Sequence, residues 1–286
     1  MKVLPFKIPK TGNALFQYQE DVGDSFYDKF HAHEEIQISF VEQGSGELIV
    51  GDAITTFEPG DVFVIGSNVP HLLRSDLSAG ASFMRSLFFT EPAIRSIVGD
   101  QDKLNEAEQF FNQINRGIRI QSNLRLITSN LQKIYAEQEL LQMVSFFETL
   151  HALVTAESEP ISSFTMRNDL SETGGIRLSK VFDLLTSEYH REISLNEVAE
   201  VANLTPNAFC RYFKQHTNKT FFEFLVEVRL ANACKLLVKH NDMSIAEVRD
   251  LSGFRNSSHF NKKFKAYKGV SPVQYRQAMG GHERAI

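Results

Sequence analysis

Two short stretches in the C-terminal part of this 286-residue chain gather polar and basic side chains at helical spacing. Read as helices, the first places Asn207, Cys210, Arg211 and Lys214 on one face, and the second places Ser258, Asn261, Lys262 and Lys265 on one face. Each face is polar toward its N-terminal end and basic further along. A helix lying in a major groove needs that arrangement, with Arg or Asn for base edges and Lys for phosphates. A second group lies near the N-terminus. From His31 to Ser39 the odd positions, His31, His33, Glu35, Gln37 and Ser39, are all polar, and a strand puts them on one face. By itself the row is compatible with plain solvent exposure. His71 comes later, and its position after Pro70 also suits a turn. No nucleophile and base stand at a recognisable spacing.

The elements that must hold these residues differ between the two ends. From about Phe26 to Phe89, alternating runs such as HAHEEIQISFV, GELIVGD, DVFVIG and SFMRSLFF are separated by turn-forming residues, which predicts strands. From Glu91 to Ala156 the period becomes helical, with Leu140, Val144, Phe147, His151 and Val154 on one stripe, a pattern that most often marks intramolecular core. Residues 157–175, rich in Ser with Pro and paired Gly, read as a linker. From Ile176 onward the chain reads as helix. This half repeats itself with an offset of about 51 residues. Ser194 with Glu197, and Ser244 with Glu247, have capping-box spacing. Asn203 and Gly253 follow as residues that tolerate a left-handed turn. Next come the aromatic pairs Phe209/Phe213 and Phe260/Phe264, then Asn218 and Gly269 as further turn formers. Thr205 and Pro206 suit an N-cap and a first helical position. Helix, tight turn, second helix is the helix-turn-helix pattern, here over 194–216 and 244–267. Thr220 to Lys239, without Gly or Pro, predicts one connecting helix about 30 Å long. Successive major-groove faces lie about 34 Å apart, so this strut suits two adjacent grooves.

Residues 253–276, GFRNSSHFNKKFKAYKGVSPVQYR, together with NAFCRYFKQHTNKTFFEFLVEVRLANACKLL before them, resemble the DNA-binding domain of the AraC/XylS family of transcriptional regulators. The resemblance implies base contacts from Asn207, Cys210 and Arg211 and from Ser258, Asn261 and Lys262. Arg249 replaces a small alanine usual in the family, and Lys262 replaces a common arginine, losing its bidentate fork. The N-terminal His31-Ala32-His33, Gln37, Gly44, Pro59-Gly60-Asp61 and Pro70-His71 resemble the two cupin motifs, with glutamine at the acid position. That resemblance implies a β-barrel whose histidines point inward and whose polar row, His31, His33, Glu35, Gln37 and His71, contacts a small polar effector such as a sugar. Three histidines also raise the prospect of a metal. Gln37 in place of a carboxylate weakens it, and no metal or other cofactor is expected.

The expected architecture is α+β: a cupin-like barrel over 1–90, a helical segment over 91–156 for barrel packing or dimerisation, a linker over 157–175, and an all-α DNA-binding domain over 176–286. Residues 1–175 carry 13 Lys and Arg against 24 Asp and Glu, and residues 176–286 carry 17 against 11. The basic half faces a polyanion in this reading. With no apolar run of about 18 residues, no secretory signal and two cysteines, Cys210 and Cys234, outside any disulfide or metal spacing, a cytoplasmic protein is expected. The expected function is a non-enzymatic regulator acting on double-stranded promoter DNA as a homodimer, with RNA polymerase as a potential partner. The competing readings are a cupin oxygenase or isomerase with a helical appendage, and a regulator whose barrel only dimerises.

Overall fold

A computed structural model describes residues 15–27, 30–77, 80–98, 105–136, 140–162 and 172–280. The chain divides into two compact units, 1–176 and 177–286. No described helix is long and apolar enough to cross a membrane.

The first unit is built on strands β1 (Phe16–Gly23), β2 (Ile36–Gln43), β3 (Gly46–Val50), β4 (Ala53–Phe57), β5 (Val62–Ile65), β6 (His71–Ser75) and β7 (Ser82–Phe89). Helices α1 (Glu91–Val98) and α2 (Asn105–Ile114), strand β8 (Ile118–Ile120), helices α3 (Leu124–Ala136) and α4 (Leu140–Val154), and strand β9 (Ser158–Pro160) complete it. The six-stranded sheet runs β1-β7-β2-β5-β8-β9 and the three-stranded sheet β4-β3-β6. Side-chain alternation explains the layering. Val41, Phe63, Ile65 and Met84 from one sheet meet Leu48, Val50, Phe57 and Leu73 from the other in an apolar barrel interior. The neighbouring residues Ile36, Ile38, Val62, Val64 and Leu87 point the opposite way and pack under Phe110, Ile127, Leu131, Phe146 and Leu150 of the helices. The six-stranded sheet is therefore covered on both faces, which is why VFVI reads as an unbroken apolar run.

Three sequence expectations fail here. The helical segment contains β8, too short to show a period of its own. The 157–175 linker holds β9, paired with β8 through Ile118↔Pro160 and Ile120↔Ser158, and its last residues begin helix α5 (Glu172–Glu188); positions 163–171 lie outside the described residues. The barrel sheet thus draws on strands beyond residue 90. The Leu140/Val144 stripe is not core: Leu140 is 72% and Val144 49% exposed, and α4 instead buries Phe146, Leu150 and Leu153. The helix is apolar on nearly every side, so periodicity could not choose the buried face.

The second unit continues α5 with α6 (Leu195–Val201), α7 (Pro206–Thr217), α8 (Phe221–Lys239), α9 (Ile245–Leu251), α10 (Ser257–Lys268) and α11 (Pro272–Gly280). All four expected left-handed positions occur: Asn203 at φ 52°, Asn218 at 54°, Gly253 at 78° and Gly269 at 76°. Thr205 is an N-cap followed by Pro206. The capping box at Ser244 is complete. At Ser194 the hydroxyl accepts from the Glu197 N–H, while the Glu197 carboxylate accepts from Arg191. A further capping box, Thr220 with Glu223, starts α8. At 19 residues this helix is about 28 Å long.

Candidate functional site

In the second unit the recognition faces form because each helix buries its aromatic pair. Phe209 and Phe213 of α7, and Phe260 and Phe264 of α10, are fully buried. Phe213 packs on Phe224 of α8 with ring centroids 5.7 Å apart, and Phe264 packs on Tyr275 of α11 at 5.6 Å. The opposite faces are left to solvent. Asn207, Cys210, Arg211 and Lys214 are all exposed, as are Ser258, Asn261, Lys262 and Lys265. Arg249, where a small residue was expected, stays at the surface. Its guanidinium donates to the Asp250 carboxylate and to the Ser257 hydroxyl at the start of α10, so the turn accommodates it.

In the first unit, β2 points Gln37 and Ser39 into the barrel, where both are buried. His33 precedes this strand and His71 opens β6, and the His31 and His71 main chains pair in an isolated bridge. The rings of His31 and His71 lie 4.3 Å apart and those of His33 and His71 5.1 Å apart. His33 Nδ1 stands 2.9 Å from the Glu35 carbonyl and His71 Nδ1 2.8 Å from the Val69 carbonyl. Both Nε2 atoms lie 3.1 Å from Gln37 Oε1. The Gln37 amide reaches Ser39 Oγ at 2.8 Å, and Ser39 Oγ lies 3.2 Å from Ser86 Oγ on β7. Burial holds the His33 ring below the usual imidazole pKa. His71 is held well below it, by burial first and then by the repulsion that protonated His31 and His33 would exert on a second cation. Both rings are neutral at pH 7.

A family model described as a helix-turn-helix domain matches residues 198–278, and one described as a cupin domain matches residues 20–84. The chain is 24% identical over 241 residues to the Msm operon regulatory protein of Streptococcus mutans, covering 84% of this chain and 83% of that one. It is 23% identical over 263 residues to the melibiose operon regulatory protein of Escherichia coli, covering 86% and 83%. It is 26% identical over 260 residues to the HTH-type transcriptional activator RhaS of an Enterobacter strain, covering 86% and 87%. The chain thus carries an AraC-type helix-turn-helix domain and a cupin domain, and these relatives are AraC-family regulators.

The structure brings His31, His33, Gln37 and His71 of the first unit together. Glu35 contributes its main-chain carbonyl, and its carboxylate lies 3.8 Å from His33 Nδ1. Sequence reasoning missed Ser86 and Tyr27, whose ring stands edge-on to His31 at 4.9 Å. Ser86 joins the cluster because strand pairing sets it opposite Ser39, a register that no local sequence signal displays. The donor set can be tested against the divalent ion that the cupin fold implies. The reachable nitrogens of His31, His33 and His71 lie within 4.8 Å of one another, and imidazole suits several transition ions. The fourth position, however, is a neutral amide already in contact with two of the rings. These residues fit a closed hydrogen-bond cluster better than an ion needing an anionic partner.

Proposed function

We propose that this chain is a one-component transcription regulator: α7 and α10 read a promoter, the barrel binds a small polar effector, and the protein acts as a cytoplasmic homodimer without metal or catalytic chemistry. The observation that carries the reading is the pair of matching exposed faces, Asn207/Cys210/Arg211/Lys214 and Ser258/Asn261/Lys262/Lys265, on two helices whose other faces are core. Arg211 and Asn261 are assigned to base edges, and Lys214 and Lys265 to phosphates. RNA polymerase is a partner in this reading. The effector is assigned to the sugar class on two grounds. His31, His33, Glu35, Gln37 and His71 gather polar groups whose mutual hydrogen bonds a hydroxyl-bearing ligand would have to replace, and one relative is named for the melibiose operon.

One experiment addresses both sites. An operator is selected from a random-sequence duplex library, and its affinity is measured with and without a panel of sugars and sugar acids. Arg211→Ala is expected to lose about 1–3 kcal/mol more on the operator than on random duplex. Lys265→Ala should weaken both equally. Gln37→Leu should keep DNA binding and lose the sugar response. Equal losses for Arg211→Ala on both DNAs would remove its assignment to base edges, and a sugar response that survives Gln37→Leu would place the effector elsewhere.

A further inference from the structure

The two helix-turn-helix units have separate cores joined by α8. Its first half gives Phe221, Phe224, Leu225 and Val228 to burial, with Phe224 lying 4.9 Å from Phe182 of α5. Its second half gives Leu230, Ala233, Cys234 and Leu237 to the core built with Val248, Phe254, Phe260 and Phe264. Apolar burial is non-directional, so these two packings alone leave the roll and bend of one unit against the other softly defined.

At the boundary between the cores stands Arg229. Its Nε donates to the Tyr189 carbonyl at 2.8 Å and its Nη2 to the Arg191 carbonyl at 2.7 Å. Both acceptors belong to the turn between α5 and α6. The same turn touches the second unit. Gly253, at φ 78° between α9 and α10, packs so closely that a Cβ there would stand 2.4 Å from the Tyr189 carbonyl oxygen and 2.9 Å from Arg229 Nε. Beside it Arg255 Nη2 donates to Glu192 Oε2 at 2.8 Å. One turn, residues 189–192, therefore meets the middle of the strut and the turn that launches the second recognition helix.

We propose that the Tyr189–Glu192 turn, clamped by Arg229 and seated against Gly253, fixes the separation and angle between α7 and α10 and so decides which half-site spacing the protein accepts. This rests on the DNA-binding reading above. Arg229 is a positioning residue: its planar fork holds two carbonyls at once, which lysine cannot do with the same geometry. Half-sites one helical turn apart are separated by roughly 34–36 Å and 10–10.5 base pairs. Adding one base pair thus moves the second half-site by roughly 3.4 Å and rotates it by roughly 34°. A directional clamp resists that displacement, and apolar packing alone yields to it.

The test uses the full chain and duplexes chosen from a random-sequence library, followed by versions with one base pair inserted or removed between the two boxes. The wild type is expected to lose at least tenfold in affinity on either change. Arg229→Met should lose less than threefold, with affinity for the isolated first box within twofold of wild type. Arg229→Lys, which keeps the charge and the helix, should fall between them. A penalty in Arg229→Lys equal to that of the wild type would overturn the proposal, whether or not Arg229→Met folds. If the wild type selects no sequence from the library, the DNA-binding reading fails instead. Selected sequences with no fixed spacing between boxes would overturn the clamp alone.

Discussion

Gln37 decides what the histidine cluster is for, and the decision is one of counting protons. A neutral imidazole has one N–H. His71 faces a carbonyl oxygen at each nitrogen, Val69 O at 2.8 Å and Gln37 Oε1 at 3.1 Å, so one of the two contacts sets a lone pair against an oxygen. A half-turn of the Gln37 amide removes the conflict. Its NH2 then donates one hydrogen to His33 Nε2 and the other to His71 Nε2, while its oxygen accepts from the Ser39 hydroxyl. Amide orientation is assigned from such networks, and this one satisfies every buried partner named. The cluster closed this way offers a cation no lone pair at His33 or His71 and no negative charge. Glutamate at the same position would supply both an anion and a lone-pair donor. Gln37→Glu is therefore expected to take up zinc, nickel or manganese at one equivalent per chain, while the wild type retains less than a tenth of an equivalent after dialysis. Metal content by mass spectrometry decides it: stoichiometric metal in the wild type, lost in His71→Ala, would mean that the amide oxygen faces an ion after all. Of this cluster, the sequence made the alternation of His33, Gln37 and Ser39 readable. It could not show Ser86, because the partner of a strand residue is set by a register that only long-range pairing fixes.

At the scale of elements, the second unit was the more legible because its signals are local. Asn203, Gly253, Asn218 and Gly269 mark turns through backbone sterics, and Thr205, Ser194 and Ser244 mark helix starts through hydrogen bonds three residues long. Such signals need no knowledge of the rest of the fold. The Glu197 half of one capping box failed for the complementary reason: Arg191, six residues away, competes for the carboxylate. The first unit was legible only where burial is one-sided. α4 is apolar all round, and the side it buries is chosen by the sheet beneath it. The other side leaves Leu126 of α3 and Leu140, Met143 and Val144 of α4 at the surface around a groove of about 740 Å³. A monomer gains nothing from that exposure, whereas a second copy of the chain would bury it. If the protein dimerises here, Leu140→Glu with Val144→Glu should yield monomers by light scattering at concentrations where the wild type is a dimer. The melting temperature should hold within a few degrees, since both side chains are already in water. A doubly substituted protein that remains dimeric moves the interface to another surface.

For the molecule as a whole, the charge division sets how the two halves behave toward DNA. Residues 1–175 have a balance of −11 and residues 176–286 of +6. Attraction of the basic unit to a duplex comes chiefly from counterion release, so the logarithm of affinity falls with the logarithm of salt by about 0.9 for each phosphate neutralised. The acidic unit contributes the opposite sign. Its repulsion acts over distance and is screened within a Debye length of about 10 Å at 0.1 M salt. This repulsion requires no particular arrangement of the two units, only that both are tethered to one DNA site. Two consequences are measurable by fluorescence anisotropy on a random duplex. The segment 177–286, which has its own buried core, should bind with a steep salt dependence. The full chain should bind more weakly than the segment at low salt, and the gap should close as salt rises past roughly 0.2 M, where screening has shortened the reach of the acidic half. A flat salt response of the segment would show that its exposed lysines do not meet phosphates. A gap that stays constant across the titration would show that the first unit acts on DNA binding by contact or by dimerisation, and that its charge has no part in it.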